Sequence, residues 1–172
     1  AYRLIGYETR MLARQDFKDD KVDAGDMGAG HTVTAIYEIT PSSAAGKLVD
    51  PLRYGEGKKP APASKTDELC FVRVRYKLPG ESGSRLVEQP VRASSVHRSL
   101  ASAPADQRFA VAVAAFGQRL RGEQQVADYS YADIADLANG ARGDDAEGYR
   151  AEFVKLVRMT ESLGKAGQAG QP

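Results

Sequence analysis

A chain of 172 residues with 42% hydrophobic content has material for one core, or one core with a small helical addition. Its 24 basic and 23 acidic residues leave a net charge of +1, which argues against nucleic acid as a bulk electrostatic partner. No apolar run approaches the roughly 20 residues that span a bilayer, so direct membrane insertion is not expected, and the lone cysteine, Cys70, has no internal disulfide partner.

The chain opens Ala-Tyr-Arg-Leu, without an initiator Met, a basic leader or an apolar leader core. Residues 2–12 (YRLIGYETRML) alternate imperfectly and read as a strand interrupted at Gly6, with a helix over Glu8 to Arg14 as the alternative reading. A strand pattern starting at Tyr2 leads us to expect that the chain begins inside, or at the edge of, a larger protein. Residues 16–30 (DFKDDKVDAGDMGAG) read as an acidic loop with turn glycines and no apolar period. Residues 31–39 (HTVTAIYEI) alternate cleanly and predict a strand ended by Pro41. The Pro-, Gly-, Ser- and Lys-rich stretch near 42–65 reads as a long mobile linker.

Residues 68–78 (ELCFVRVRYKL) carry the sharpest period-two pattern. Cys70, Val72, Val74, Tyr76 and Leu78 fall on one face, expected to be buried; Phe71, Arg73, Arg75 and Lys77 fall on the other. PGESGS (79–84) is turn chemistry, and residues 85–91 return as a second strand, giving a hairpin with Pro90 at a sheet edge.

After residue 100 the period becomes helical. A first helix starts around 102–106 and presents Phe109, Val113, Phe116 and Leu120 before Gly122 stops it. Ser130 followed by Asp133 has the form of a capping box, opening a short helix through Ile134 and Leu137. Asp144 and Asp145 open a third, with Tyr149, Phe153, Leu156 and Leu163 on one stripe, and 164–172 reads as a flexible tail. The expected fold is α+β: an antiparallel sheet or partial β-sandwich in residues 1–100, with three helices in 101–163 packed on it and on each other.

Two groups of residues are candidate sites. Asp19, Asp20, Asp23 and Asp26, with Asp16, offer carboxylates from a loop, the ligand type that hard cations such as Ca²⁺ take. Counted from Asp19, however, the third position is Lys21 and no glycine stands at the sixth, so the EF-hand spacing fails, and a solvated or capping acidic loop is the plainer reading. Phe71, Arg73 and Arg75, with Lys77, form a basic stripe suited to the acidic loop, an acidic partner or a neighbouring domain; an ordinary charged sheet face is its bland counterpart. Gly28 to His31 leads into a strand rather than a helix, which favours tight-turn glycines over a phosphate loop. Cys70 shares the face of Val72 and Val74, which favours a small core residue over a Cys–His nucleophile with His31 or His97. No serine stands in Gly-x-Ser-x-Gly. No catalytic residue and no cofactor are expected.

YRLIGYETRML, DFKDDKVDAGDMGAGHTVTAIYEITP, LCFVRVRYKLP and the helical run from FAVAVAAFGQRLRG to AEFVKLVRM resemble the C-terminal domain, of unknown function, that follows the von Willebrand factor type A domain in a family of bacterial proteins. The resemblance covers most of the chain but not the linker. It implies a non-catalytic interaction or scaffolding module, an upstream type A domain or another protein as partner, and a bacterial periplasm or cell-envelope setting. The type A metal motif, Asp-x-Ser-x-Ser, occurs nowhere in the sequence, so that domain's adhesive metal chemistry is not expected here. A cation-binding module and a hydrolase of unrecognised type are the alternative expectations.

Overall fold

The structure is a computed structural model, and it describes residues 2–6, 16–22, 25–40 and 67–169. The linker read near 42–65, Asp23 and residues 170–172 lie outside them. The fold is α+β, with strand pairs in the N-terminal part followed by three helices. Two compact units divide it. One runs up to Val96, and the other starts at His97 and also takes in Thr34–Ile36.

The strands β1 (Tyr2–Ile5) and β2 (Ile36–Ile39) form a two-stranded sheet, joined by the Arg3–Glu38 ion pair at 2.8 Å and an edge-on contact of Tyr2 with Tyr37. The second strand is shorter than the alternation from His31 implies, in keeping with a partner of only four residues. The second sheet is an antiparallel hairpin of β3 (Glu68–Tyr76) and β4 (Arg85–Arg92). Its tip turns at Leu78–Glu81, where the Glu81 N–H donates to the Leu78 carbonyl at 3.1 Å. Pro79 presets the first corner and Gly80, at φ +80°, takes the left-handed second corner that side chains avoid.

The register pairs Val72 with Gln89, Val74 with Val87 and Tyr76 with Arg85 on one face. The opposite face pairs Phe71 with Pro90, Arg73 with Glu88 and Arg75 with Leu86. The first face was expected to be buried, and it is not: Val72, Val74, Tyr76 and Val87 are between 41% and 51% exposed. Only Cys70 and Val91 are half-buried on it. A two-stranded ribbon has no second layer of its own, and alternation shows which residues share a face without supplying the element that covers it.

In the second unit, α1 (Ala105–Leu120), α2 (Tyr131–Asn139) and α3 (Tyr149–Ala169) enclose a core of Ala112, Ala115, Phe116, Ile134, Ala135, Ala138, Val154 and Val157. Phe116 stands edge-on to Tyr131 and Phe153, and Phe109 edge-on to Phe153, with centroids 5.4–6.0 Å apart. The helices therefore meet through alanines, which let backbones approach, with aromatic rings filling the remaining space. Of the expected stripes, Phe109, Phe116, Ile134, Leu137 and Phe153 face this core. Val113, Leu120, Tyr149, Leu156 and Leu163 instead face outward.

Local signals fix the helix ends. Past α1, the Glu123 N–H donates to the Gln118 carbonyl and the Gly122 N–H to that of Arg119, a Schellman closure that needs the left-handed Gly122 at φ +72°. Ser130 and Asp133 exchange side-chain-to-backbone bonds at 3.0 and 3.1 Å, the capping box read from sequence. Asp145, itself left-handed at φ +42°, accepts from the N–H groups of Arg150 and Ala151 at 2.9 and 2.8 Å. The α3 helix continues past Gly164 as far as Ala169, so most of the expected flexible tail is helical.

Candidate functional site

The two candidate groups read from sequence meet in the first unit. The acidic loop begins with a single 3₁₀ turn at Asp16–Lys18, closed by the Asp19 N–H on the Asp16 carbonyl at 3.0 Å. A second turn follows, in which the Asp19 carboxylate accepts from the Lys21 N–H at 2.9 Å, an Asx turn. Asp19 is thereby used locally. These turns present Phe17 and Asp20 to the basic face of the hairpin.

Asp20 is the centre of the contact. Its Oδ1 accepts from Arg75 Nη2 at 2.8 Å, and its Oδ2 accepts from the Ser84 N–H at 3.4 Å. Arg75 also donates to the Ser84 hydroxyl, and Lys77 donates to the main-chain carbonyl of Asp20. The Arg73 guanidinium lies over the Phe17 ring, 5.5 Å from its centroid, within the cation–π range. The hydrogen bond from the Ser84 side chain holds the Asp20 carboxyl below its usual value. Loss of hydration opposes it, and the Ser84 N–H and the hydrogen bond and charge of Arg75 add to the lowering.

The other singled-out residues stand apart from this contact. Phe71 lies on the basic face and is 53% exposed. Asp26 is exposed, outside any helix or strand. Among the described residues no group of three or more His, Cys, Asp or Glu side chains is placed to hold a metal ion. Gly28 to His31 forms a tight turn, with the His31 N–H on the Gly28 carbonyl at 3.1 Å and the His31 ring 3.1 Å from the Ala29 carbonyl. Cys70 is a half-buried free thiol, and His97 is exposed at the junction after β4.

Sequence reasoning missed Phe17 and Ser84. Nothing local marks them, since each gains its role from a partner more than 50 residues away. It also missed Arg150, whose Nη1 donates to the carbonyls of Ala141 and Arg142 at 3.1 and 3.3 Å and whose Nη2 donates to Asp106 at 2.6 Å. The same guanidinium lies 4.8 Å from the centre of the Phe109 ring, tying the start of α1, the end of α2 and the first turn of α3 together. Arg150 is structural; the Asp20 contact is the arrangement with recognition chemistry.

Residues 1–163 match the family model described as "Uncharacterized protein YfbK, C-terminal". A relative of the same description, "Uncharacterized protein YfbK" of Escherichia coli (strain K12), is 40% identical over 163 residues, which is 94% of this chain and 27% of the relative. The chain thus spans about a quarter of the length of that curated relative. No solved structure matches.

Proposed function

We propose that this chain, which belongs to the family of the YfbK C-terminal domain, is a non-catalytic docking module within a longer polypeptide. One observation carries the reading: the apolar face of the hairpin, with Val72, Val74, Tyr76 and Val87 each two-fifths or more exposed. A two-stranded ribbon is at best marginal in water, and a contiguous apolar patch on it calls for a cover. The occupant we assign is the larger remainder of the polypeptide, because the matched relative carries most of its length outside the segment shared with this chain. The resemblance of the sequence to the region after a type A domain supports that domain as the docked neighbour, in a bacterial envelope setting.

Cation binding by Asp19, Asp20, Asp23 and Asp26 is the less favoured reading. Asp19 closes its own turn and Asp20 is engaged by Arg75 and Ser84, so two of the four carboxylates already have donors. Hydrolysis has no observation in its favour.

Calorimetric titration of this chain against the separately produced upstream region, with and without Ca²⁺, tests the docking reading. Saturable binding in both conditions, lost on Val74→Glu, supports it. An absence of heat with a folded upstream region removes it.

A further inference from the structure

We propose that the Arg73, Arg75 and Lys77 face of the hairpin is a recognition site for a short protein segment of the form aromatic-x-x-acidic, occupied in this structure by the chain's own Phe17–Asp20. Each basic side chain reads a different feature of that segment. Arg73 covers the aromatic ring, Arg75 takes the carboxylate, and Lys77 takes the main-chain carbonyl of the acidic residue. The Ser84 N–H completes the carboxylate cradle from the turn after β3. A ring, an acid and a backbone carbonyl at fixed spacing are features of a peptide. A phosphate backbone would engage Arg75 and Lys77 and leave Arg73 without its ring.

The way the segment is held makes it exchangeable. Its contacts bridge 55 to 64 residues of sequence, and the 3₁₀ turn contains no buried residue. The contacts are surface ion pairs and hydrogen bonds, individually weak and screened by salt. The segment's advantage is its tether. An attached ligand acts at an effective concentration on the order of millimolar, so an external segment of the same form enters only when the internal one is weakened or the external one is locally abundant. The internal segment therefore acts as a built-in competitor that sets a threshold for partner binding. The inference concerns the hairpin face opposite the apolar one, and its test uses no upstream region, so its failure would leave the docking reading standing.

The test uses the full chain carrying Phe17→Ala with Asp20→Asn, and an end-blocked fluorescent peptide of the sequence of residues 16–22 as the probe. The β3 and β4 amide signals verify that the hairpin is intact; if the double variant loses them, Asp20→Asn alone carries the same test. Fluorescence anisotropy is expected to show the variant binding the peptide at least tenfold more tightly than the wild-type chain. Adding Arg75→Ala to the variant, or replacing the peptide's second aspartate after the aromatic by asparagine, is expected to abolish that binding. Equal binding of the peptide by variant and wild type overturns the proposal. Tighter binding of a single-stranded oligonucleotide than of the peptide also overturns it.

Discussion

Arg75 and Asp20, 55 residues apart in sequence, are joined by a 2.8 Å ion pair that anchors the acidic loop to the hairpin. Because the Asp20 carboxyl titrates below its ordinary value, the folded chain binds that proton less readily than the unfolded chain does. Its contribution to stability is therefore complete above about pH 4, where an ordinary aspartate is ionised. It is lost as the pH falls further, through the lowered value. Thermal melting of wild type and Asp20→Asn is expected to show the variant less stable at pH 6 and the difference shrinking as the pH falls below about 4. A difference that grows on acidification would contradict the assignment.

The α3 helix depends on a cap placed four residues before its first residue. Asp145 satisfies the N–H groups of Arg150 and Ala151, and these two bonds, led by that of Arg150, hold its carboxyl below the usual range. Asp145→Ala should lower the melting midpoint of the helical unit at neutral pH, and Asp145→Asn, whose single amide oxygen can accept one of the two bonds, should restore part of the loss. Circular dichroism at 222 nm follows both. Melts of both variants that coincide with the wild type would show that the cap contributes nothing.

Arg150 and Asp106 separate a structural hydrogen-bond donor from its exposed partner. Arg150→Met leaves the Ala141 and Arg142 carbonyls without their donor and removes the contact with Phe109. A loss of about 1–3 kcal/mol is expected in denaturant unfolding. Asp106→Asn, at a side chain that is 83% exposed, is expected to cost less than about 1 kcal/mol. A larger effect at Asp106 than at Arg150 would reverse the account of this junction.

The inward and outward faces of the helices make opposite predictions for equally apolar residues. Ile134 is fully buried, and Ile134→Ala should cost about 2–5 kcal/mol through lost burial and the cavity left behind. Leu163 is 70% exposed, and Leu163→Ala should change stability by no more than about 0.5 kcal/mol. Urea unfolding reads both, and equal losses would mean that the outward face is packed.

What the sequence disclosed and what it concealed follow a physical division. The hairpin was legible because alternation and turn chemistry are local, and ELCFVRVRYKL followed by Pro79–Gly80 specifies both. The Ser130–Asp133 capping box was legible for the same reason. The helical core was only half legible: Ala112, Ala115, Ala135 and Ala138 carry little weight in a hydrophobic pattern, yet they line the helix contacts, while Val113, Leu156 and Leu163 weigh heavily and face outward. The Asp20–Arg75 contact was legible only as a match of charge between the basic stripe and the acidic loop, because nothing local singles out position 20. Five aspartates in a loop suggested a cation site, and the one at position 20 found a guanidinium instead.

Hydroxyl-radical footprinting of Tyr76, in this chain alone and in the longer polypeptide proposed to carry it, tests the docking reading most directly. Tyr131, packed against Phe116 in the helical core, serves as the internal reference. The account predicts that Tyr76, 41% exposed in the isolated chain, is modified severalfold more slowly in the longer polypeptide while Tyr131 is unchanged. An equal Tyr76 rate in the two would contradict it, because the apolar face of the hairpin would then have no cover within the chain that was assigned to supply one.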